Sequence, residues 1–300
     1  MEINNPSQPE FVFRKEREFG EIISDSFGFF TQNYKTLSQI FLKFIGPYII
    51  LMVIGTTYYQ YKTGDLFTDI TLLSSNPEFI ATAFTDNLLA LLLFVIVSIV
   101  ATIMIYATVL YSIKSYIDNN GEIIESDISQ GIKKDFFKIL GYILLSGIVS
   151  GIGSLFCLVP GIYLYVVLFP GLALMVMEDL SISDAFSKSF KLIKDNWWIT
   201  FATILVFTIL ISILGYVFQV PALIYSFVEG FTAASSSPND PSAIGEIYQS
   251  WVYLLFSAIG SIGQYFLSLF SVIMLALVYF NLSEKQEFKG TYNQIDQIGN

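Results

Sequence analysis

Residues 139–177 read ILGYILLSGIVSGIGSLFCLVPGIYLYVVLFPGLALMVM and contain no charged side chain. A helix needs about 20 apolar residues to cross the hydrocarbon core of a bilayer, so this stretch is long enough for two crossings. It is interrupted within residues 158–161, where we expect Pro160 to end one helix and Gly161 to turn the chain. The stretch therefore predicts two membrane helices joined by a tight turn.

The rest of the chain has the same apolar character. Of its residues 54% are hydrophobic and 13% are charged, whereas charged residues make up about a quarter of an ordinary globular chain. The long charge-free stretches, with Pro221 expected to end one of them, predict an all-α polytopic membrane protein with six transmembrane helices in three hairpins. The predicted spans are 38–59, 87–113, 138–158, 161–178, 197–219 and 251–282, and outer loops of about 25 residues follow the first and fifth.

The basic residues are distributed unevenly between the two sides of the predicted spans. Fourteen of the 15 Lys and Arg residues fall on one face, and Lys62 alone falls on the other. Cytoplasmic loops carry the excess of Lys and Arg in membrane proteins. The pattern predicts a multi-pass protein of the bacterial inner membrane with both termini in the cytoplasm.

Two segments on the basic side share one apolar pattern at an offset of 163 residues. Their predicted faces are Phe19, Ile23, Phe27 and Phe30 in the first segment and Phe186, Phe190 and Trp197 in the second. We interpret each as a cytoplasmic amphipathic helix that precedes a membrane hairpin, with a weaker middle copy over residues 124–136. Any helix that lies on a membrane also shows this periodicity, so the repeat has a second explanation.

This interpretation predicts a single membrane domain over residues 18–283. Its units are 18–117, 118–180 and 181–283. A flexible N-terminal tail is expected at 1–17 and a cytoplasmic C-terminal tail at 284–300.

Small and polar residues inside two spans form candidate packing seams. Gly147 and Gly151 make a GxxxG pair, and Ser257, Ser261 and Gln264 lie along the last span. Small residues let two helices approach closely, and polar residues can form hydrogen bonds between helices. The seams predict packing within the chain, or alternatively a dimer seam, a partner seam or a lipid groove.

The charged pair Glu178-Asp179 lies at the inner end of the fourth span. It is either a solvated helix end or a cytoplasmic lock that binds Lys188 or Lys191 on the next helix. Gly46-Pro47 and Pro170-Gly171 lie inside predicted spans and are expected to kink them.

Composition excludes several kinds of chemistry. The chain has no His and a single Cys, Cys157, which we expect to be an inert packing residue. A His base, an imidazole metal site and an internal disulfide are therefore excluded, and we expect no catalytic, cofactor-binding or metal-binding residue. The net charge of −10 disfavours nucleic acid as a partner.

Residues 160–198 carry a pattern found in a known family: Pro160-Gly161-Ile162-Tyr163-Leu164, then Pro170, Glu178, Ala185, Ser189, Leu192 and Trp197. With the opening KEREFGEII at 15–23, it resembles a bacterial six-helix membrane family. That family includes uncharacterised Bacteroidetes-type proteins and the membrane domain fused to some glycerophosphodiester phosphodiesterases. The resemblance covers 14–283 and implies architecture without an activity. Phosphodiesterase chemistry and the carotenoid oxygenase chemistry assigned to some relatives both use His residues, which this chain lacks.

These observations favour a non-enzymatic membrane scaffold, or an accessory subunit of a larger inner-membrane assembly. Its partners would be membrane lipid and either another membrane protein or a second copy of the chain. The alternative is a transporter or lipid-handling protein with an apolar cavity between the repeat units.

Overall fold

A computed structural model describes residues 11–70, 77–236 and 242–287, in which all regular secondary structure is helical and no strand occurs. The helices are α1 (Phe19–Gln32), α2 (Tyr34–Phe44), α3 (Gly46–Ile70), α4 (Pro77–Asp118), α5 (Glu125–Phe156), α6 (Leu158–Leu168), α7 (Gly171–Met177), α8 (Ile182–Ile193), α9 (Trp197–Ser236), α10 (Ser242–Gln249) and α11 (Trp251–Glu287).

Five of the described helical stretches are long and apolar enough to cross a membrane. They are Phe84–Asp118, Glu125–Phe156, Leu158–Met177, Trp197–Ser236 and Trp251–Gln286. The number rises to six if α2 and α3, which are bent by 56° at their junction, count as one broken span. Pro47 lies in the first turn of α3, where its missing N–H is tolerated, and the chain breaks just before it. The all-helical class predicted from sequence is confirmed, and the long apolar helices are compatible with a multi-pass membrane protein.

The chain groups into two compact units. Among the described residues, unit 1 contains those of 11–42, 105–209 and 269–287, and unit 2 contains those of 43–104 and 210–268. This grouping cuts across the three predicted repeat units, whose duplication stays a prediction.

In unit 1 the segment before α1 is packed into the core. Phe11 and Phe13 are buried, and the Phe13 ring lies 4.8 Å from that of Phe29. Arg17 has no exposed side-chain surface; its guanidinium donates to the carbonyls of Val12 and Phe13 and, at 2.9 Å, to Asp25. The prediction of a flexible tail over 1–17 is therefore wrong for residues 11–17, because this buried Arg holds the segment in place; residues 1–10 lie outside the described part.

The hairpin between α5 and α6 turns earlier than predicted. The break is at Cys157, which is extended (φ −169°), and Pro160 lies in the first turn of α6. A proline is tolerated there because the first N–H groups of a helix have no partner within it. Pro160 thus helps to begin the second helix instead of ending the first. Cys157 is exposed at the turn, so its predicted packing role is wrong.

The outer loops are shorter than predicted. Helix α9 continues through Pro221 to Ser236, and α3 and α4 extend to Ile70 and from Pro77. A proline costs only local hydrogen bonds in a membrane helix, so Pro221 does not end this one. Residues 237–241, in the predicted loop after the fifth span, lie outside the described residues. Helix α11 also enters the predicted C-terminal tail, where Glu284 is buried.

In unit 2, polar contacts join α3 to α10 and α11. The Gln60 amide donates to Ser257 Oγ at 2.8 Å, and Gln249 donates to Asp65 at 2.6 Å. These bonds satisfy polar groups on apolar helices, which would otherwise be costly to remove from water.

Two glycines in unit 1 provide a first test of this packing. A Cβ at Gly171 would overlap Tyr142 Oη and lie 2.8 Å from Ser189 Oγ, whereas a Cβ at Gly147 would meet nothing within 4 Å. We expect Gly171→Ala to destabilise the protein by about 1–3 kcal/mol through overpacking. Gly147→Ala should be neutral or stabilising by up to about 1 kcal/mol, since Ala favours a helix. Thermal unfolding in detergent measures the stability change of each variant. Equal changes for the two variants would contradict the close contact at Gly171 and the open space at Gly147.

Candidate functional site

The turn after α7 is closed by its own backbone. The Glu178 N–H donates to the Leu174 carbonyl at 3.0 Å, and the Leu180 N–H donates to the Met175 carbonyl at 3.1 Å. Between them Asp179 adopts a left-handed conformation with φ 54°. Many helices end with a residue in the left-handed conformation, and that residue is most often Gly. It directs two adjacent carboxylates to different neighbours.

Glu178 connects α7 to two other helices. Its carboxylate accepts from Lys188 Nζ of α8 at 2.6 Å and from the Tyr279 hydroxyl of α11 at 3.0 Å. The Glu178 side chain is 19% exposed and that of Lys188 is 31% exposed. Partial burial weakens screening by solvent, so this pair is more stabilising than a surface ion pair.

Asp179 connects the same turn to α5. Its carboxylate lies 2.7 Å from Lys134 Nζ and 3.9 Å from Lys138 Nζ. The hydrogen bond from Lys134 lowers the pKa of Asp179 below its ordinary value. The carboxylate therefore stays ionised at neutral pH and keeps the pair.

These contacts define the ion-pair hub, which consists of Glu178, Asp179, Lys134, Lys188 and Tyr279. Among the predicted lock residues, Glu178 and Lys188 pair with each other, and Asp179 pairs with Lys134 instead of Lys188 or Lys191. Lys191 contributes its carbonyl, which accepts from the Gln286 amide at 3.2 Å. The hub joins α5, α7, α8 and α11.

A second charged group of unit 1 was not identified as a site from the sequence. Asp135 of α5 is buried; it accepts from the Tyr111 hydroxyl and lies 3.0 Å from Lys138 Nζ. Gly131 lets the Tyr111 ring lie directly against α5, since a Cβ there would overlap the ring. The sequence signal was the charged residue Asp135 on the apolar face of α5, one helical turn after Gly131.

A groove of about 470 Å³ in the same unit carries both signs of charge. Its lining residues are Tyr111, Lys114, Ser115, Asp118, Asp127, Gln130, Gly131 and Lys134. Within the described ranges there is no group of three or more Cys, Asp or Glu side chains placed to hold a metal ion. The ion pairs of the hub connect helices, and in the groove Asp127 accepts from Ser115 and Asn119.

The predicted seam residues fall into three environments. Gly147 and Gly151 are exposed, and a Cβ at either would meet nothing. Ser257 and Ser261 are buried, and Ser261 donates to the Ser257 carbonyl at 2.8 Å. Gln264 is exposed on α11. Close helix approach occurs instead at Gly153, where a Cβ would lie 3.2 Å from the Gly161 Cα.

The predicted apolar-face residues are all half-buried: Phe19, Ile23, Phe27, Phe30, Phe186, Phe190 and Trp197. The Phe27 ring lies 4.8 Å from that of Phe270, and Trp197 stacks on Tyr163 at 5.7 Å. The matched positions Ser26 and Ser189 are both buried, and each hydroxyl donates to the carbonyl four residues earlier.

No protein family, curated protein or solved structure matches this chain.

The hub can be tested with a double-mutant cycle. Glu178→Gln and Lys188→Met should show a coupling of about 1 kcal/mol, since they remove one partly buried ion pair. The exposed Lys191→Met is the matched control and should change stability by less than about 0.5 kcal/mol. Urea unfolding of the detergent-solubilised protein measures the four stabilities; additive effects would rule the pair out as a stabilising contact.

Asp179 tests charge and backbone conformation separately. Asp179→Asn removes the ion pairs but keeps a residue that tolerates the left-handed conformation. Asp179→Ala also introduces the left-handed cost of about 1–2 kcal/mol. We expect Ala to be less stable than Asn by about that amount in the same unfolding assay, and the reverse order would contradict the conformation of this turn.

Proposed function

We propose that this protein is a non-enzymatic scaffold, or an accessory subunit, of a larger bacterial inner-membrane assembly. The observation that carries the proposal is the exposure of Gln264 on α11. Gln264 lies eighteen residues after Glu246 and twenty before Glu284, at the middle of an uncharged stretch. A polar amide at that depth gains about 1 kcal/mol from a hydrogen bond across a helix interface. A second protein helix can supply that bond, whereas acyl chains cannot.

The open face of α5 supports the same role within unit 1. Gly147 and Gly151 are exposed together with Leu144 and Ile148, so a helix could approach this face closely. Buried Asp135, which accepts from the Tyr111 hydroxyl, and Gly131, which lies against the Tyr111 ring, pack the first half of α5, so the face is presented by a packed helix. A scaffold requires both properties.

The proposal includes the orientation and ancestry predicted from sequence. The positive-inside pattern places both termini in the cytoplasm, with α1 and α8 as amphipathic helices on that side. The resemblance to the six-helix family of the phosphodiesterase-fused membrane domains remains part of the proposal. Lipid handling is the alternative role.

The test is purification of tagged protein from native membranes in mild detergent, with mass spectrometry of bound proteins and lipids. We expect a stoichiometric protein partner or a second copy, which Gln264→Leu releases because the amide can no longer bond across the interface. The exposed Ile259→Leu on the same helix is the matched control and should keep the partner.

Unchanged thermal unfolding of Gln264→Leu would show that the loss of partner is not a loss of fold. A preparation with one enriched lipid and no protein partner would contradict the scaffold proposal and favour the lipid-handling role.

A further inference from the structure

Helix α8 cannot cross a bilayer. It and the turn that follows carry five charged residues: Asp184, Lys188, Lys191, Lys194 and Asp195. Each such charge at the centre of a membrane helix costs about 2.5–3.5 kcal/mol to insert. Helix α8 therefore lies along an aqueous boundary of the membrane, and Trp197, which follows it, has the residue type typical of that boundary.

The α6–α7 segment runs beside α8 in the opposite direction. Near the middle, Gly171 lies against Ser189. At the far end, Trp197 Nε1 donates to the Tyr163 carbonyl at 3.4 Å, and the two rings stack at 5.7 Å. Residues 163–178 thus lie alongside residues 181–197.

This pairing fixes the depth of α6 and α7. Residues 163–178 extend over about 22 Å at 1.5 Å per residue. If they stood across the hydrocarbon core, α8 would stand across it too, with Lys188 and Lys191 inside. The cost of those charges excludes that arrangement, so Tyr163 and Glu178 both remain on the side of the membrane where α8 lies.

Little of the hairpin remains beyond Tyr163. From Tyr163 to Cys157 at the turn are six residues, or about 9 Å, against a hydrocarbon core of about 30 Å. The turn therefore does not reach the opposite face.

The turn is nevertheless apolar and exposed. Leu155 is 87%, Phe156 85%, Leu158 73% and Val159 71% exposed. The Cys157 N–H bonds to the Gly153 carbonyl at 3.3 Å, and Pro160 has no N–H, which reduces the number of backbone donors at the start of α6. Large apolar side chains with no charge among them are what a hydrocarbon environment favours.

We propose that the α5–α6 hairpin enters one leaflet without crossing the bilayer, and that its tip, residues 155–159, binds lipid acyl chains of the leaflet next to α8. With the proposed orientation, this is the cytoplasmic leaflet. The proposal replaces the two predicted spans 138–158 and 161–178. It leaves both termini on the same face because two crossings are removed together.

Cys157 is the only cysteine in the chain and lies at the tip, so a nitroxide can be attached to the unaltered protein in detergent. After reconstitution into vesicles of equal parts phosphatidylethanolamine and phosphatidylglycerol, electron paramagnetic resonance measures collisions with oxygen and with a nickel chelate. We expect oxygen, which partitions into lipid, to exceed the chelate at Cys157. A matched label at Ser183→Cys in the Cys157→Ser variant, on the exposed start of α8, should show the reverse.

Three outcomes would overturn the proposal. Chelate access at Cys157 equal to that at Ser183→Cys would place the tip in water. Low access to both reagents would place it in a protein interface. Modification of Cys157 by a membrane-impermeant maleimide only from the face opposite Ser183→Cys would show a crossing. A Ser236→Cys label reports orientation independently, and none of these readings depends on the partner in the scaffold proposal.

Discussion

The turn at Glu178 and Asp179 is the constraint on which the order of unit 1 depends. A left-handed residue at position 179 directs adjacent carboxylates to opposite sides. One reaches Lys188 and Tyr279, and the other reaches Lys134. Four helices are thereby held by side chains from a single turn. The lysines come from α5 and α8, so the turn connects both helices to α7 and α11; the Glu178–Lys188 pair is partly buried, whereas Asp179 and Lys134 are more than half exposed.

A second constraint follows from how much of each apolar helix the other described residues cover. Only 11% of the most apolar window of α5 is buried and 22% of that of α9, against 83% for α11. The apolar window of α11 is therefore largely covered by other residues, whereas those of α5 and α9 are largely exposed. Apolar surface supplies little specificity among membrane helices, which is why the proposed scaffold role rests on polar and small residues such as Gln264 and Gly147.

Much of the fold could be predicted from the sequence because it depends on local composition. Charge-free stretches of about 20 residues are long enough to cross a membrane, and the helical class is correct. Breaks at prolines were harder to place. Pro160 and Pro47 lie in the first turns of helices, and Pro221 lies inside one. A proline in a first turn removes no helical hydrogen bond, whereas a proline farther along removes one, so the residue type alone does not locate a break.

The candidate site was predictable only in part. The charged pair Glu178-Asp179 is conspicuous after 39 uncharged residues, and Lys188 lies close in sequence. Lys134 and Tyr279 come from distant helices, and no local pattern connects them to Asp179 and Glu178. The burial of Arg17 and the exposure of Gly147 likewise depend on what the neighbouring helices cover.

The sequence by itself determined the helical membrane class, the excluded chemistry and the asymmetry of charge, since each is a property of composition along the chain. Only the tertiary structure decided which charges pair, which glycines pack and that α6–α7 lies beside the charged α8, because those depend on distances between residues far apart in the chain.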